Sequence, residues 1–290
     1  MAFKRLIPVL LLKNGRLVRS QNFSYHQLIG DPYEQTNRYK SWDVDELIYL
    51  DITHHWLKDM STYFPGCGWH LHDILPKIAH NCFNPLSVGG GIKTVEDIHK
   101  LINLGADRVI LNTGAIENPQ LVEEAAKTFG SQAIIVAIDA GMHNGTYTVF
   151  SHAAKRATGL SLKDWVKKLS DLGASEIFLN SFHKDGLATG YDVKMIESLG
   201  TDLNTSLIVS GGVGCYEDFA QVANHPNVRG VAAANLFAFK ELSYQKAKNH
   251  LLKKGFLFRK SVFCLLRDMK SNSHLSELPR NEDLIWNIQN

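Results

Sequence analysis

The sequence predicts an α/β fold, a single (β/α)8 TIM barrel built from two similar half-barrels. Three observations predict it. Eight short β-rich runs alternate with amphipathic helical patterns over most of the 290 residues, and eight βα units in about 250 residues is the usual size of such a barrel. The first run, "LIPVLLL", is continuously apolar, as a parallel strand covered on both faces should be. A segment also recurs: "GGIKTVEDI" (90–98) and "GGVGCYEDF" (211–219) share Gly-Gly, a β-branched residue and Glu-Asp at identical spacing. A doubly wound sheet would equally need parallel strands and crossover helices. The repeat favours closure, because two equivalent four-stranded halves make eight strands.

The elements follow in chain order. The first strand, 6–12, breaks at Lys13-Asn14-Gly15, read as a turn into a basic loop. The second is "LIYLDIT" (47–53), followed by a long insert at 54–72. The third, "LSVGGG" (86–91), leads into "TVEDIHKLINLGA", a helix with Val95, Ile98, Leu101 and Ile102 on one face. The fourth is "RVILNTG" (108–114), and the fifth, 133–140, carries Asp139 near its end. An excursion at 141–160 containing "TYTVFSHAAKRATG" predicts a hairpin. The last three strands are 176–182, 207–212 and 230–237. The barrel spans 1–257, and 258–290 is a polar C-terminal appendage of little periodicity. Both long excursions follow strand C-termini and belong on the face that carries active sites in such barrels.

Composition narrows the function classes. Hydrophobic and charged fractions of 44% and 21% are ordinary for a globular chain. A net charge of +2 gives no broad basic field, so nucleic acid is not the expected partner. No apolar stretch approaches the roughly 18 residues of a membrane span, and no small-residue cleavage site follows the N-terminal apolar run. The cysteines Cys67, Cys82, Cys215 and Cys264 are dispersed. They predict a reducing, cytoplasmic setting and no zinc knuckle. His54, His55, His70 and His72 cluster in the insert without a carboxylate or cysteine at ligand spacing, so no metal or other cofactor is expected.

Chemistry concentrates at the strand ends. Gly89-Gly90-Gly91 and Gly211-Gly212 each separate a strand from a helix. Such glycines either bring backbone N–H groups to a phosphate or only make a tight turn. Two repeat-related copies favour two phosphates on opposite sides of one mouth. Asn112-Thr113 and Ala234-Asn235 supply further donors, and Arg19 either neutralises a phosphate or is a solvated loop charge. Asp139 is the leading acid–base candidate, since a partly desolvated carboxyl is raised toward the useful range; a cap or turn role is the alternative. Asp51 and Asp185 are weaker candidates, fitted also to organising loops. At the other end, Arg5, Glu46, Arg108 and Glu176 stand at four strand starts. They form either a ring across the barrel axis or ordinary surface ion pairs.

Together these residues resemble the cyclase subunit of imidazole glycerol phosphate synthase, the HisF family, from about Lys4 to Gly255. The matching stretches are "KNGRLV" with "NF" (13–23), "DELIYLDIT" (45–53), "GGGI" (89–92), "GADRV…NT" (105–113), "VAIDA" (136–140), "TGLSLKDWV" (158–166), "KDG…GYD" (184–192) and "SGGVG" (210–214). The resemblance implies a barrel that takes ammonia from a glutaminase (HisH-like) docked on its bottom face. It implies a reaction that splits and cyclises a bisphosphorylated ribulosyl aminoimidazole carboxamide in histidine synthesis. It assigns Gly91, Asn112 and Thr113 to one phosphate and Gly212, Ala234 and Asn235 to the other; Arg19, Asp185 and Gly186 are counted with these as phosphate-binding candidates. Asp139 matches a catalytic carboxylate. Arg5, Glu46, Arg108 and Glu176 match the ammonia gate, with arginine at 108 where the family usually has lysine. Asp107 and Gln132 match positions facing the glutaminase.

One position departs from the pattern. Where the family motif reads Leu-Asp-Val-Lys-Asp-Gly, this chain reads Leu10-Leu11-Leu12-Lys13-Asn14-Gly15, so Leu11 stands in place of the second catalytic aspartate. Leucine transfers no proton. A related set of paralogues joins a glutaminase and an ATP-dependent enzyme to amidate a surface-polysaccharide sugar, and a barrel keeping gate and phosphate positions without the first aspartate resembles that set more. The alternative is a working histidine-pathway cyclase. A sugar-phosphate isomerase relative also needs the first aspartate and has no use for a gate.

Overall fold

The computed structural model describes residues 3–53, 71–82 and 84–261. Its strands are β1 (Arg5–Lys13), β2 (Arg16–Gln21), β3 (Tyr25–Gly30), β4 (Leu47–Asp51), β5 (Leu86–Gly89), β6 (Arg108–Leu111), β7 (Ile134–His143), β8 (Thr146–Ser151), β9 (Arg156–Ser161), β10 (Glu176–Ser181), β11 (Ser206–Ser210) and β12 (Val228–Ala233). Eight of them run parallel in the order β1-β4-β5-β6-β7-β10-β11-β12. The sheet closes because β12 pairs with β1. This is the expected (β/α)8 TIM barrel.

Strand alternation divides the core into two layers. Ile7, Val9, Ile48, Ile110, Ile135, Ala137, Phe178, Ile208 and Ala232 fill the lumen. Their neighbours Leu6, Leu10, Tyr49, Val109, Val136, Ile177 and Val231 pack outward with the helices. Residues two apart on a strand share a face, so Leu11 follows Ile7 and Val9 inward, and Asp139 follows Ile135 and Ala137.

The repeat has a structural cause. In "TVED" the Asp97 carboxylate accepts from the Lys93 and Thr94 amides, both at 3.0 Å. In "CYED" Asp218 accepts from Gly214 and Cys215 at 2.8 and 2.9 Å. Each aspartate caps the helix that follows its glycine loop, at Val95–Asn103 and Tyr216–Ala223.

The structure corrects the segment after the first strand. It is a second hairpin, with β2 antiparallel to β1 and β3 antiparallel to β2. Asn14 and Gly15 take positive φ angles of 49° and 72°, making a two-residue turn whose twist suits a hairpin. Asn144 and Gly145 repeat this at 48° and 80° between β7 and β8, where the hairpin was expected. Both hairpins prolong barrel strands above the mouth. Several strands also end earlier than expected: β6 stops at Leu111 and β12 at Ala233, because short helices begin at Thr113 and Asn235.

Opposite the mouth, a buried polar group ties the last described helix, Ser243–Lys253, to the barrel. Lys248 Nζ lies 2.6 Å from Asp45 Oδ1, and their side chains are 1% and 4% exposed. Asp45 also accepts from the Leu6 amide at 3.0 Å and from Arg259 Nε at 3.2 Å. Tyr244 donates to the Leu6 carbonyl and accepts from the Asp45 amide. Beyond the helix, Phe258 bridges to Lys4, and Arg259 pairs with Asp43 at 2.8 Å. Residues 54–70 of the insert, with His54, His55, His70 and Cys67, lie outside the described residues, as does the appendage beyond Ser261 with Cys264. Among the described residues no helix is long and apolar enough to cross a membrane.

Candidate active site and charged ring

Asp139 lies at the C-terminal end of its barrel strand and is 7% exposed. Its two oxygens are taken by two amides: Asn112 Nδ2 donates to Oδ2 at 2.8 Å and Asn180 Nδ2 to Oδ1 at 3.1 Å. Burial raises its pKa; the two amide donors act against that, and the like charge of Asp185 adds to it, leaving a net increase. Leu11 belongs with Leu50 and Ala234 to the apolar set against the lumen core. The top of the lumen therefore has an apolar side at β1, β4 and β12 and a polar side at β6, β7 and β10.

The raised Asp139 has a stability consequence with a definite sign. The folded chain holds this proton to a higher pH than the unfolded chain, where the ordinary value is 3.8. Stability from this group is fully present below 3.8 and is lost as pH rises through the folded-state value. Chemical unfolding of wild type and Asp139→Asn from acid to neutral pH is expected to show wild type losing ground to the variant as pH rises. A difference independent of pH would contradict the assignment.

The two glycine loops flank the mouth. Gly91 and Gly212 have φ of 70° and 98°, and a Cβ at Gly212 would lie 2.2 Å from the Gly190 carbonyl oxygen. These conformations need glycine whether or not an anion binds. Each hairpin leans on the opposite half's short helix start. Asn235 Nδ2 donates to the Ser20 carbonyl at 3.0 Å, and Thr113 Oγ1 accepts from the His152 amide at 3.4 Å. Arg19 stands over the Phe239 ring at 5.5 Å. Asn112 Oδ1 is buried without a hydrogen-bond partner.

Asp185 and Gly186 sit beneath the first hairpin. The Asp185 carboxylate accepts from Ser20 Oγ at 2.6 Å and from the Phe23 amide at 3.1 Å. Burial raises its pKa against those two donors. Asp185 thus fixes the turn between β2 and β3. Asp51 does similar work at the insert, accepting from the amides of Thr53 and Leu71 at 2.9 and 3.2 Å.

The four strand-start charges come together across the barrel bottom. Arg5 contacts Glu46 at 2.5 Å and also pairs with Glu176. Arg108 reaches Glu46 at 3.4 Å and Glu176 at 2.8 Å. The result is a closed ring of alternating sign whose carboxylates are almost fully buried. Ser87 and Ser206 donate to Glu46 and Glu176 at 2.6 and 3.1 Å. Burial works against the Arg5 charge, but the two carboxylates outweigh it and raise its pKa. Asp107 and Gln132 are exposed beside the ring. Asp107 accepts from the Leu86 amide at 2.8 Å, and the Gln132 carbonyl accepts from Arg108 Nε at 3.0 Å.

Sequence reasoning missed Asn180, Ser20, Ser87 and Ser206. The available signal was a polar residue interrupting an apolar strand, as Asn180 does in "EIFLNSF". Among the described residues no group of three or more potential ligands is placed to hold a metal.

The fold is a closed parallel barrel with a clamped carboxylate and paired glycine loops at one end and a ring of alternating charge at the other. The family model described as histidine biosynthesis protein matches residues 5–243. The imidazole glycerol phosphate synthase subunit HisF of Natranaerobius thermophilus is 40% identical over 255 residues, covering 88% of this chain and 98% of that protein. The subunit of the same name from Hydrogenobaculum sp. is 38% identical over 252 residues, covering 87% and 96%. The chain belongs to the histidine biosynthesis protein family and is HisF-like.

Proposed function

We propose that this chain is a cyclase-type barrel that accepts ammonia from a HisH-like glutaminase at its bottom face and serves the amidation of a surface-polysaccharide sugar. The observation that carries this reading is the pairing of an intact charged ring with Leu11 opposite Asp139. The ring of Arg5, Glu46, Arg108 and Glu176 closes one end of an apolar lumen. A small neutral molecule entering there would meet no ionic site before Asp139. At the mouth, Gly91, Asn112 and Thr113 would bind one phosphate of a phosphorylated small molecule. Gly212, Ala234 and Asn235 would bind a second, assisted by Arg19, with Asp185 and Gly186 supporting the loop between. Asp139 would exchange the proton. An ATP-dependent sugar amidotransferase would be the further partner.

The second reading is a histidine-pathway cyclase that makes imidazole glycerol phosphate and AICAR. The names of the two relatives favour it, and Asp139 would then work without a second carboxylate. The family match is equally consistent with both readings.

Both readings take ammonia from the glutaminase, with Asp107 and Gln132 beside its docking face. The chain alone is expected to hydrolyse no glutamine. Burial pushes the Cys82 thiol up, and the thiol donates to the Asn84 carbonyl, so it is no ready nucleophile. Size-exclusion chromatography with the cognate glutaminase at micromolar concentration should give a heterodimer. Two separate peaks would sink the ammonia-accepting reading.

A further inference from the structure

We propose that Asn180 is a positioning residue for Asp139: with Asn112 it holds the carboxylate between two amide donors and fixes the direction of its remaining lone pairs. The proposal rests on the reading of Asp139 as the proton-exchanging group. Asn180 and Asp139 are register partners on adjacent parallel strands, β10 and β7. Asn180 is therefore held by the sheet itself, not by a loop. Its Nδ2 reaches Asp139 Oδ1 at 3.1 Å while Asn112 Nδ2 reaches Oδ2 at 2.8 Å. One donor on each oxygen stops the carboxylate from rotating, and both oxygens keep further acceptor capacity for a proton.

The amide lies close to the second glycine loop on its other side. A Cβ at Gly211 would lie 3.0 Å from Asn180 Oδ1 and 2.6 Å from the Ser181 carbonyl oxygen. The bare glycine is what admits the Asn180 amide at this spot. Asn180 thus spans the carboxylate and the Gly211-Gly212 loop, while Asn112 spans the same carboxylate and the start of the Thr113–Glu117 helix. One amide from each half of the barrel meets at one acid.

A space-filling role and a donor role separate by titration. Asp139 can be followed by carbon NMR of aspartate-labelled full-length chain, its carboxyl signal assigned by loss in Asp139→Asn. The titratable groups on the surrounding elements are His183, Lys184 and Asp185 beyond β10, and His143 and His152 around β8. Asp185→Asn measures the field of the one that adds like charge. Asn180→Leu keeps volume and removes the donor; Asn180→Ala removes both. Because a donor to the ionised form favours ionisation, the Asp139 midpoint should move to higher pH in both variants. It should move to lower pH in Asp185→Asn. A midpoint unchanged in whichever Asn180 variant folds would overturn the proposal. The titration needs no turnover, so it stands or fails independently of which reaction the barrel performs.

Discussion

Given the bisphosphorylated histidine-pathway intermediate and ammonium salt, the wild-type chain should turn over about 10²–10⁴-fold more slowly than a cyclase with both carboxylates. That corresponds to roughly 3–5 kcal/mol of barrier. The expectation comes from geometry as well as from the motif. Leu11 points into the lumen top with Leu50 and Ala234, and Asp139 occupies the equivalent place on β7. Asn14, the nearest polar residue in the first turn, has no titratable side-chain proton, and its backbone N–H donates to Thr53 Oγ1 at 2.9 Å. Leu11→Asp should recover part of the rate. Recovery will be incomplete if the apolar neighbours keep the new carboxylate protonated. The measurement that decides is the wild-type rate with saturating ammonium. Turnover within about tenfold of a two-carboxylate cyclase would exceed what loss of such a group permits. The sugar-amidation reading would then lose its main support.

Asp45→Ala should destabilise the chain by about 3–5 kcal/mol, because it leaves the Lys248 ammonium buried without its counter-ion. Burial already lowers the Lys248 pKa, with Asp45 acting in the opposite sense. The substitution also removes the acceptor for the Leu6 amide and one partner of Arg259. A second substitution, Lys248→Met, should return most of the loss, since a thioether chain needs no counter-charge in the same space. Urea unfolding of the single and double variants measures both. A loss below about 1 kcal/mol for Asp45→Ala would place this pair among ordinary surface contacts.

The eight barrel strands were legible because each is an apolar run whose both faces are covered, and such runs need no partner information to be seen. The second hairpin was legible from its alternating residues and Asn144-Gly145. The first was not, although Asn14-Gly15 makes the same turn. Its strands "RLVRSQ" and "YHQLIG" mix polar with apolar residues, and no residue of β3 is buried. A strand lying over a mouth has no core face to write a pattern. Charges at four strand starts leave a ring and ordinary surface ion pairs equally open in the sequence; closure of the barrel, which brings strand starts together, makes the ring. Asn180 escaped notice because its importance comes from register with Asp139, and register is a property of the folded sheet. Lys248 reads in sequence as one more charge on the helical stretch "SYQKAKNHLLKK"; only tertiary packing turns it inward.

The short bridge between Lys4 and Phe258, with the Lys4 amide donating to the Leu257 carbonyl at 2.8 Å, brings two distant stretches of chain side by side. Lys4 precedes Arg5 of the charged ring, and Arg259 grips Asp43 just ahead of Glu46. An affinity tag joined directly ahead of Phe3 would therefore emerge beside the face proposed for the glutaminase and obstruct it. Binding measurements on tagged protein would under-report association for a reason unrelated to the native surface. The same adjacency brings the backbone of residues 4–258 back to its own start, so in a chain shortened to the barrel new termini could be opened at a surface turn such as Gly130 while a short linker joins the old neighbours.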